Sequence, residues 1–173
     1  MGYIRLQKDD KMLSNSIPVI LFDCDGVINN YDSFSNRKIT YEKSYLLDKV
    51  KMIADLATEF NAQLVCVSSW AVSPDHECFQ NLLNEFKIFG HDTIYIKPDD
   101  DRWDRPGQVN NIVKDYNIKQ FVVLDDDWDE KSYNRYNMGN HLVKTSFYEE
   151  GLTEEHIKDA RNKIKLIYEP KNR

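Results

Sequence analysis

Apolar positions along the chain fall into two kinds of block. PVILFD (18 to 23), QLVCVSS (63 to 69), TIYIKP (93 to 98), QFVVLDD (120 to 126) and HLVKT (141 to 145) are short, nearly continuous apolar runs, the pattern of strands buried on both faces. Between them the apolar spacing changes to that of helices. In YEKSYLLDKVKMIADLATEF (41 to 60), Leu46, Leu47, Val50, Ile53, Ala54 and Ala57 recur at i, i+3, i+4 with Lys and Asp opposite, which predicts an amphipathic helix. Further helices are expected over 75 to 90, behind Pro74 and stopped by Gly90, over 107 to 118, and over 152 to 168. Strands alternating with helices imply right-handed crossovers, so the expected fold is a single Rossmann-like α/β domain of three layers around a five-stranded, mostly parallel sheet. Residues 1 to 17 read as a polar lead-in, 18 to 168 as the domain, and 169 to 173 as a tail.

Composition narrows the chemistry. The 173 residues carry 23 Lys and Arg against 29 Asp and Glu, a net charge of −6, which argues against a broad basic face for coating nucleic acid or an anionic membrane. Of the acids, 19 are Asp and 10 Glu, and an excess of the poorer helix former points to loops, caps or metal sites. Cys24, Cys66 and Cys78 are odd in number and have no ligand spacing, so neither a disulfide framework nor a zinc site is expected. His76, His91, His141 and His156 are scattered and read as surface or packing residues. No apolar run approaches the roughly 18 residues of a membrane span and the first residues lack a signal-like stretch, so a cytoplasmic location is expected.

In an open α/β sheet, ligands sit outside the carboxyl ends of the strands. Those ends here are Asp23-Cys24-Asp25-Gly26, Ser68-Ser69-Trp70, Lys97 with Arg102 and Arg105 after it, and Asp125-Asp126-Asp127. The residue types fit phosphoryl transfer to a carboxylate. Asp23 at a strand tip is placed to attack phosphorus, and Asp25 to protonate the leaving oxygen and later activate water. Without a divalent cation these carboxylates would repel a phosphate, and hard oxygen ligands suit Mg²⁺, with Asp23, Asp25, Asp125 and Asp126 as its expected ligands. Ser68 is expected to donate to a phosphoryl oxygen, and a Lys or Arg to offset developing charge. Gly26 allows a sharp turn beside the nucleophile.

VILFDCDGVIN (19 to 29), VCVSS (65 to 69), a basic residue ahead of the fourth strand, and VVLDD (122 to 126) together resemble the four ordered motifs of the haloacid dehalogenase (HAD) superfamily of aspartate-nucleophile phosphatases. LVCVSSW, RPGQVNNIVKDY, VVLDDD and the late GLTEEH are similar, within it, to the phosphatase domains of nucleic-acid end-healing and RNA-repair proteins, including the polynucleotide kinase 3'-phosphatases. The resemblance implies a HAD-like fold with a minimal cap. Lys97, Arg105 and Lys114 all compete for the basic position, and the resemblance favours Arg105, ahead of helix 107 to 118. Ser69, Trp70, Lys97, Arg102 and Lys114 are the expected substrate contacts.

Other phosphate and metal folds fit less well. DxDG lacks an EF-hand's fifth-position oxygen and sixth-position Gly, a receiver domain orders its acids the other way, and the six glycines form neither GxGxxG nor a P-loop. A DxD sugar transferase has no need of the second acidic pair. Asp99 to Asp101 read as a solvated loop.

Val27 to Thr40 spans 14 residues, too few for a lid domain, which needs roughly 40 or more, so the site is expected to be open. Trp70, Trp103 and Trp128 follow successive strands, with Tyr31 and Phe34 in the short flap and Arg37, Lys38, Arg102 and Arg105 nearby. They either stack bases of a nucleic-acid end or pack against helices. The leading expectation is an Mg²⁺-dependent phosphatase acting on a terminal phosphate of a nucleic acid, at a 3' or 5' end, or of a nucleotide. A phosphoprotein or small-metabolite phosphatase and a non-catalytic binding module are the alternatives. No membrane and no obligate protein partner is implied.

Overall fold

The computed structural model describes residues 13–97 and 104–168. Its elements, in order, are β1 (Val19–Phe22), α1 (Tyr31–Ser35), α2 (Leu47–Phe60), β2 (Gln63–Cys66), α3 (Glu77–Ile88), β3 (Thr93–Tyr95), α4 (Arg105–Asp115), β4 (Phe121–Asp125), α5 (Glu130–Asn134), β5 (Leu142–Lys144) and α6 (Glu154–Tyr168). The five strands are parallel throughout and lie in the order β3-β2-β1-β4-β5. The direction of the strand order reverses at β1, which makes its carboxyl end the natural crevice of the sheet.

The alternation of side chains along each strand sorts the core into two layers. Ile20, Phe22, Leu64, Cys66, Val122 and Leu124 pack with Val50 and Ile53 of α2, Phe79 and Phe86 of α3, and Ile157 and Ile164 of α6. Val19, Leu21, Val65, Phe121 and Val123 pack on the opposite face with Val109 and Ile112 of α4 and Tyr133 of α5. All four residues of β1 are fully buried, as a continuous apolar run requires. Phe22 is in register with Cys66 on one side and Leu124 on the other. The next residue out, Asp23, therefore lies level with Val67 and Asp125, and its N–H donates to the Leu124 carbonyl at 2.9 Å.

Several boundaries differ from expectation, those of α2 and α4 with a consequence for the site. The helix expected over 41 to 60 starts only at Leu47. Residues 41 to 46 instead hold the flap: the Leu46 N–H donates to Ile28 O at 2.8 Å, and the Ser44 carbonyl accepts from Asn29 Nδ2 at 2.9 Å. Helix α4 begins at Arg105 rather than 107, with Pro106 in its first turn where a missing N–H costs nothing, and it ends at Asp115 rather than 118. The five-residue helices α1 and α5 were too short to show a periodicity. Each starts from a side-chain cap, Asn30 on Ser33 N at 2.8 Å and Asp129 on Ser132 N at 2.8 Å. Trp103, Arg102 and Asp99 to Asp101 lie outside the described residues, as do most of the lead-in and the tail.

Candidate functional site

Two carboxylates meet one guanidinium at the ends of β1 and β4. Asp23 Oδ2 lies 2.6 Å from an Arg105 guanidinium nitrogen, and the same nitrogen is 3.4 Å from Asp125 Oδ2. All three side chains are almost completely buried. Burial opposes the charge on Arg105, but Asp23 and Asp125 outweigh it and hold its pKa above the usual arginine range. Of the three competing cations, Arg105 is the one that reaches Asp23. Lys97 is exposed at the end of β3, and Lys114 is exposed nine residues along α4, roughly 13 Å down its axis.

Asp125 and Asp126 are adjacent in sequence but have different surroundings. Asp125 Oδ2 also accepts from the Tyr133 hydroxyl at 2.9 Å, and Oδ1 from the Asp127 N–H at 2.9 Å. Burial pushes its pKa up to about 6, with Arg105 pulling it back. Among the described residues, Asp126 shows no comparable pair of bonds. Its Oδ1 is buried without a hydrogen bond, and burial, then Asp127, Asp23 and Asp125, push its pKa up to about 7 against the opposing pull of Lys144.

A carboxylate in that condition is relieved by a proton or by a nearby cation. Asp23, Asp126 and Asp127 each present an oxygen within 4.8 Å of the others, a group of hard oxygen donors that could hold a metal ion. Asp25 and Asp125, also expected among the ligands, are not in that group of three; Asp25 accepts from Asn29 and Trp70, and Asp125 from Tyr133 and the Asp127 N–H. Asp127, read from the sequence with the other acids at the end of the fourth strand, joins the cluster because the chain turns immediately after β4.

The loop after β1 is built around these contacts. Gly26 has φ +71°, and a Cβ there would overlap the Asp126 carboxylate. The Gly26 carbonyl accepts from the buried Thr145 hydroxyl at 2.7 Å, and its N–H donates to Asn29 Oδ1 at 3.0 Å. Asn29 Nδ2 in turn donates to Asp25 Oδ1 at 2.9 Å, while Trp70 Nε1 donates to Asp25 Oδ2 at 3.0 Å. Asp25 is thus fixed from both sides at the rim. Tyr133, Asn29 and Thr145 escaped the sequence reading because nothing but their tertiary position marks them.

Ser68 is fully buried at the end of β2, where its Oγ accepts from Trp70 N at 3.3 Å and lies in hydrogen-bonding reach of the Cys24 thiol. Ser69 and Trp70 begin the tight turn Ser69–Val72. Together with Asp25, Phe34, Tyr41, His76 and others they wall a cavity of about 330 Å³. Trp70 is half-buried against one core layer and Trp128 against the other, so both pack, and Trp70 also serves the rim. His141 stacks on Phe121 with centroids 3.9 Å apart, a packing role as expected, whereas His76 lines the cavity.

Among the described residues no helix is long and apolar enough to cross a membrane. Residues 19–157 match a family model described as the HAD domain in Swiss Army Knife RNA repair proteins. No curated protein matches the chain. The match spans most of the sequence and contains every motif described above, so the chain belongs to this family of RNA-repair-associated HAD domains.

Proposed function

For a HAD domain of this family, we propose an Mg²⁺-dependent phosphatase that uses Asp23 as nucleophile and removes a terminal phosphate from a nucleic-acid end. The observation that carries the reading is the position of Asp23. Its carboxylate is held at 2.6 Å by Arg105, shares a convergent cluster with Asp126 and Asp127, and stands at the tip of the central strand.

Asp23, Asp126 and Asp127 would hold the ion, and the orphaned Asp126 oxygen supports that fit. When bound, Mg²⁺ offsets the charge of the phosphate and of the carboxylates around it. In the first step an Asp23 oxygen bonds to phosphorus, the ester P–O bond breaks, and the leaving oxygen takes its proton from Asp25. In the second, Asp25 removes a proton from water, whose oxygen attacks the aspartyl phosphate. Inorganic phosphate leaves and Asp23 is regenerated. Arg105 orients Asp23 and offsets charge on the phosphoryl oxygens, Ser68 donates to one of them, and Tyr133 holds Asp125 so that Asp125 in turn holds Arg105.

The flap over the site is one five-residue helix and its flanking turns, which leaves the site open to a phosphate on an extended partner. Ser69 and Trp70 face that side, and Arg102 and Lys97 follow β3. A test is phosphate release from a 3'-phosphorylated oligonucleotide with Mg²⁺, run beside the 5'-phosphorylated oligonucleotide, a phosphopeptide and a sugar phosphate. The oligonucleotide should turn over fastest, and Asp23→Asn should abolish release. Robust turnover by that variant would remove Asp23 from the mechanism, and no turnover of any ester would favour a non-catalytic binding module.

A further inference from the structure

The cavity beside Asp25 is walled by the rings of Phe34, Tyr41, Trp70 and Phe79, with His76 and Ser69 among its polar groups. We infer that it is a leaving-group pocket, which receives the terminal nucleobase of a single-stranded polynucleotide whose end phosphate lies at Asp23. The inference rests on the phosphatase reading for one step only. If Asp25 gives its proton to the leaving oxygen, whatever carries that oxygen begins at Asp25, and the space that opens there is this cavity. Trp70 links the two physically, because its Nε1 donates to Asp25 Oδ2 at 3.0 Å while its ring forms a wall.

Size and chemistry then choose the occupant. A volume of about 330 Å³ lies at the small end of ligand pockets, room for one base and its sugar. Aromatic walls suit a flat π-face, whereas a phosphoserine side chain would leave them without a partner. The polar edge of a base also has a donor to meet. The Cys78 N–H donates to His76 Nδ1 at 3.3 Å, which places the proton of the neutral ring on Nε2, 2.9 Å from the Tyr41 oxygen. That bond leaves the Tyr41 hydroxyl proton available to a base carbonyl or ring nitrogen.

The rings continue outside the cavity, which favours a polynucleotide over a free nucleotide. Phe34 is 5.9 Å from Phe147, Phe147 is 5.4 Å from Tyr148, and Tyr148 is 6.2 Å from Tyr31. Tyr31 is 57% exposed and Tyr148 84%, so this surface is open for the next bases, with exposed Arg37 in the same flap. A paired duplex end would keep its terminal base stacked and out of the pocket.

The test separates the pocket from the chemistry. Binding of a 3'-phosphorylated oligonucleotide to Asp23→Asn protein with Mg²⁺ is compared with that of the same oligonucleotide lacking only its terminal base, by fluorescence anisotropy. The base should tighten binding about tenfold, the size expected for one base stacked on aromatic walls. In Tyr41→Ala, and separately in Phe34→Ala, the ratio should fall below about twofold. Being a ratio on one protein sample, it does not depend on how much of that sample is folded. The same ratio read as kcat/KM on the unsubstituted chain provides a second measurement.

A ratio near one in Asp23→Asn protein, or one unchanged in both wall variants, overturns the inference. So does tighter binding of a phosphotyrosine peptide than of the oligonucleotide, which would assign the cavity to a phosphoprotein. Base preference without phosphate release would keep the pocket and remove the phosphatase reading. Phosphate release without base preference would do the reverse.

Discussion

Arg105 and Asp23 stand 2.6 Å apart across the end of the sheet, one from the first residue of α4 and the other from the tip of β1. Both are almost completely buried, and the second carboxylate on the same guanidinium, Asp125, is fully buried. Removing one member of a buried ion pair leaves an uncompensated charge, typically at a cost of about 3 to 5 kcal/mol. Arg105→Ala should therefore lower the melting temperature by several degrees and reduce turnover by about 10² or more, in line with losing one transition-state charge partner. Arg105→Lys restores a charge on a shorter side chain without the planar guanidinium whose one nitrogen reaches both carboxylates, and should recover part of both. Thermal melts and phosphate release on the same preparations check the two effects separately.

Tyr133 is fully buried and its hydroxyl donates to Asp125. Tyr133→Phe keeps the ring packing and deletes one hydrogen bond to a buried carboxylate, a loss of about 1 to 3 kcal/mol. The expected result is a lower melting temperature and a modest fall in kcat with KM little changed, because Tyr133 acts on the substrate only through Asp125 and Arg105. An unchanged melting temperature would show that the bond contributes nothing.

Gly26 is held at positive φ with the Asp126 carboxylate directly against it. Gly26→Ala adds a methyl where that carboxylate sits, so it should weaken Mg²⁺ binding, read by calorimetry, at least tenfold. Asp126→Asn should weaken Mg²⁺ binding similarly but without the backbone strain. Equal Mg²⁺ affinity in Gly26→Ala and the unsubstituted chain would place the ion elsewhere.

The raised pKa of Asp126 has a stability consequence with a definite sign. Its ordinary value is 3.8 and its folded value about 7, so in the metal-free protein its ionisation opposes folding increasingly as pH rises from about 4 to about 7. With Mg²⁺ chelated, Asp126→Asn should gain in melting temperature relative to the unsubstituted chain between pH 5 and pH 8. Because a cation favours the carboxylate, Mg²⁺ should stabilise the unsubstituted chain more at pH 8 than at pH 5. A difference between the two proteins that does not vary with pH would contradict the assignment of the shift.

The continuous apolar runs of β1, β2 and β4 needed no tertiary information, since a strand buried on both faces has few other ways to be written. Strand-helix alternation then implied the parallel sheet, and the acids and hydroxyls at the strand ends implied where chemistry collects, because parallel strands deliver their carboxyl ends to one edge. What the sequence left open was which of those groups face one another. Lys97, Arg105 and Lys114 differ little as letters, and only the start of α4 at Arg105, two residues earlier than its apolar spacing suggests, brings that guanidinium to Asp23. Asp125, Asp126 and Asp127 are likewise three identical neighbours. The strand carries the first into the interior beside Arg105 and Tyr133, and the turn after it releases the other two toward the cation site. Asn29, Tyr133, Thr145 and the cavity formed by Tyr41, His76 and Trp70 belong wholly to the tertiary structure. Their contacts span 3 to 119 positions of chain, and a set of hydrogen bonds and walls assembled over such a range leaves no local pattern.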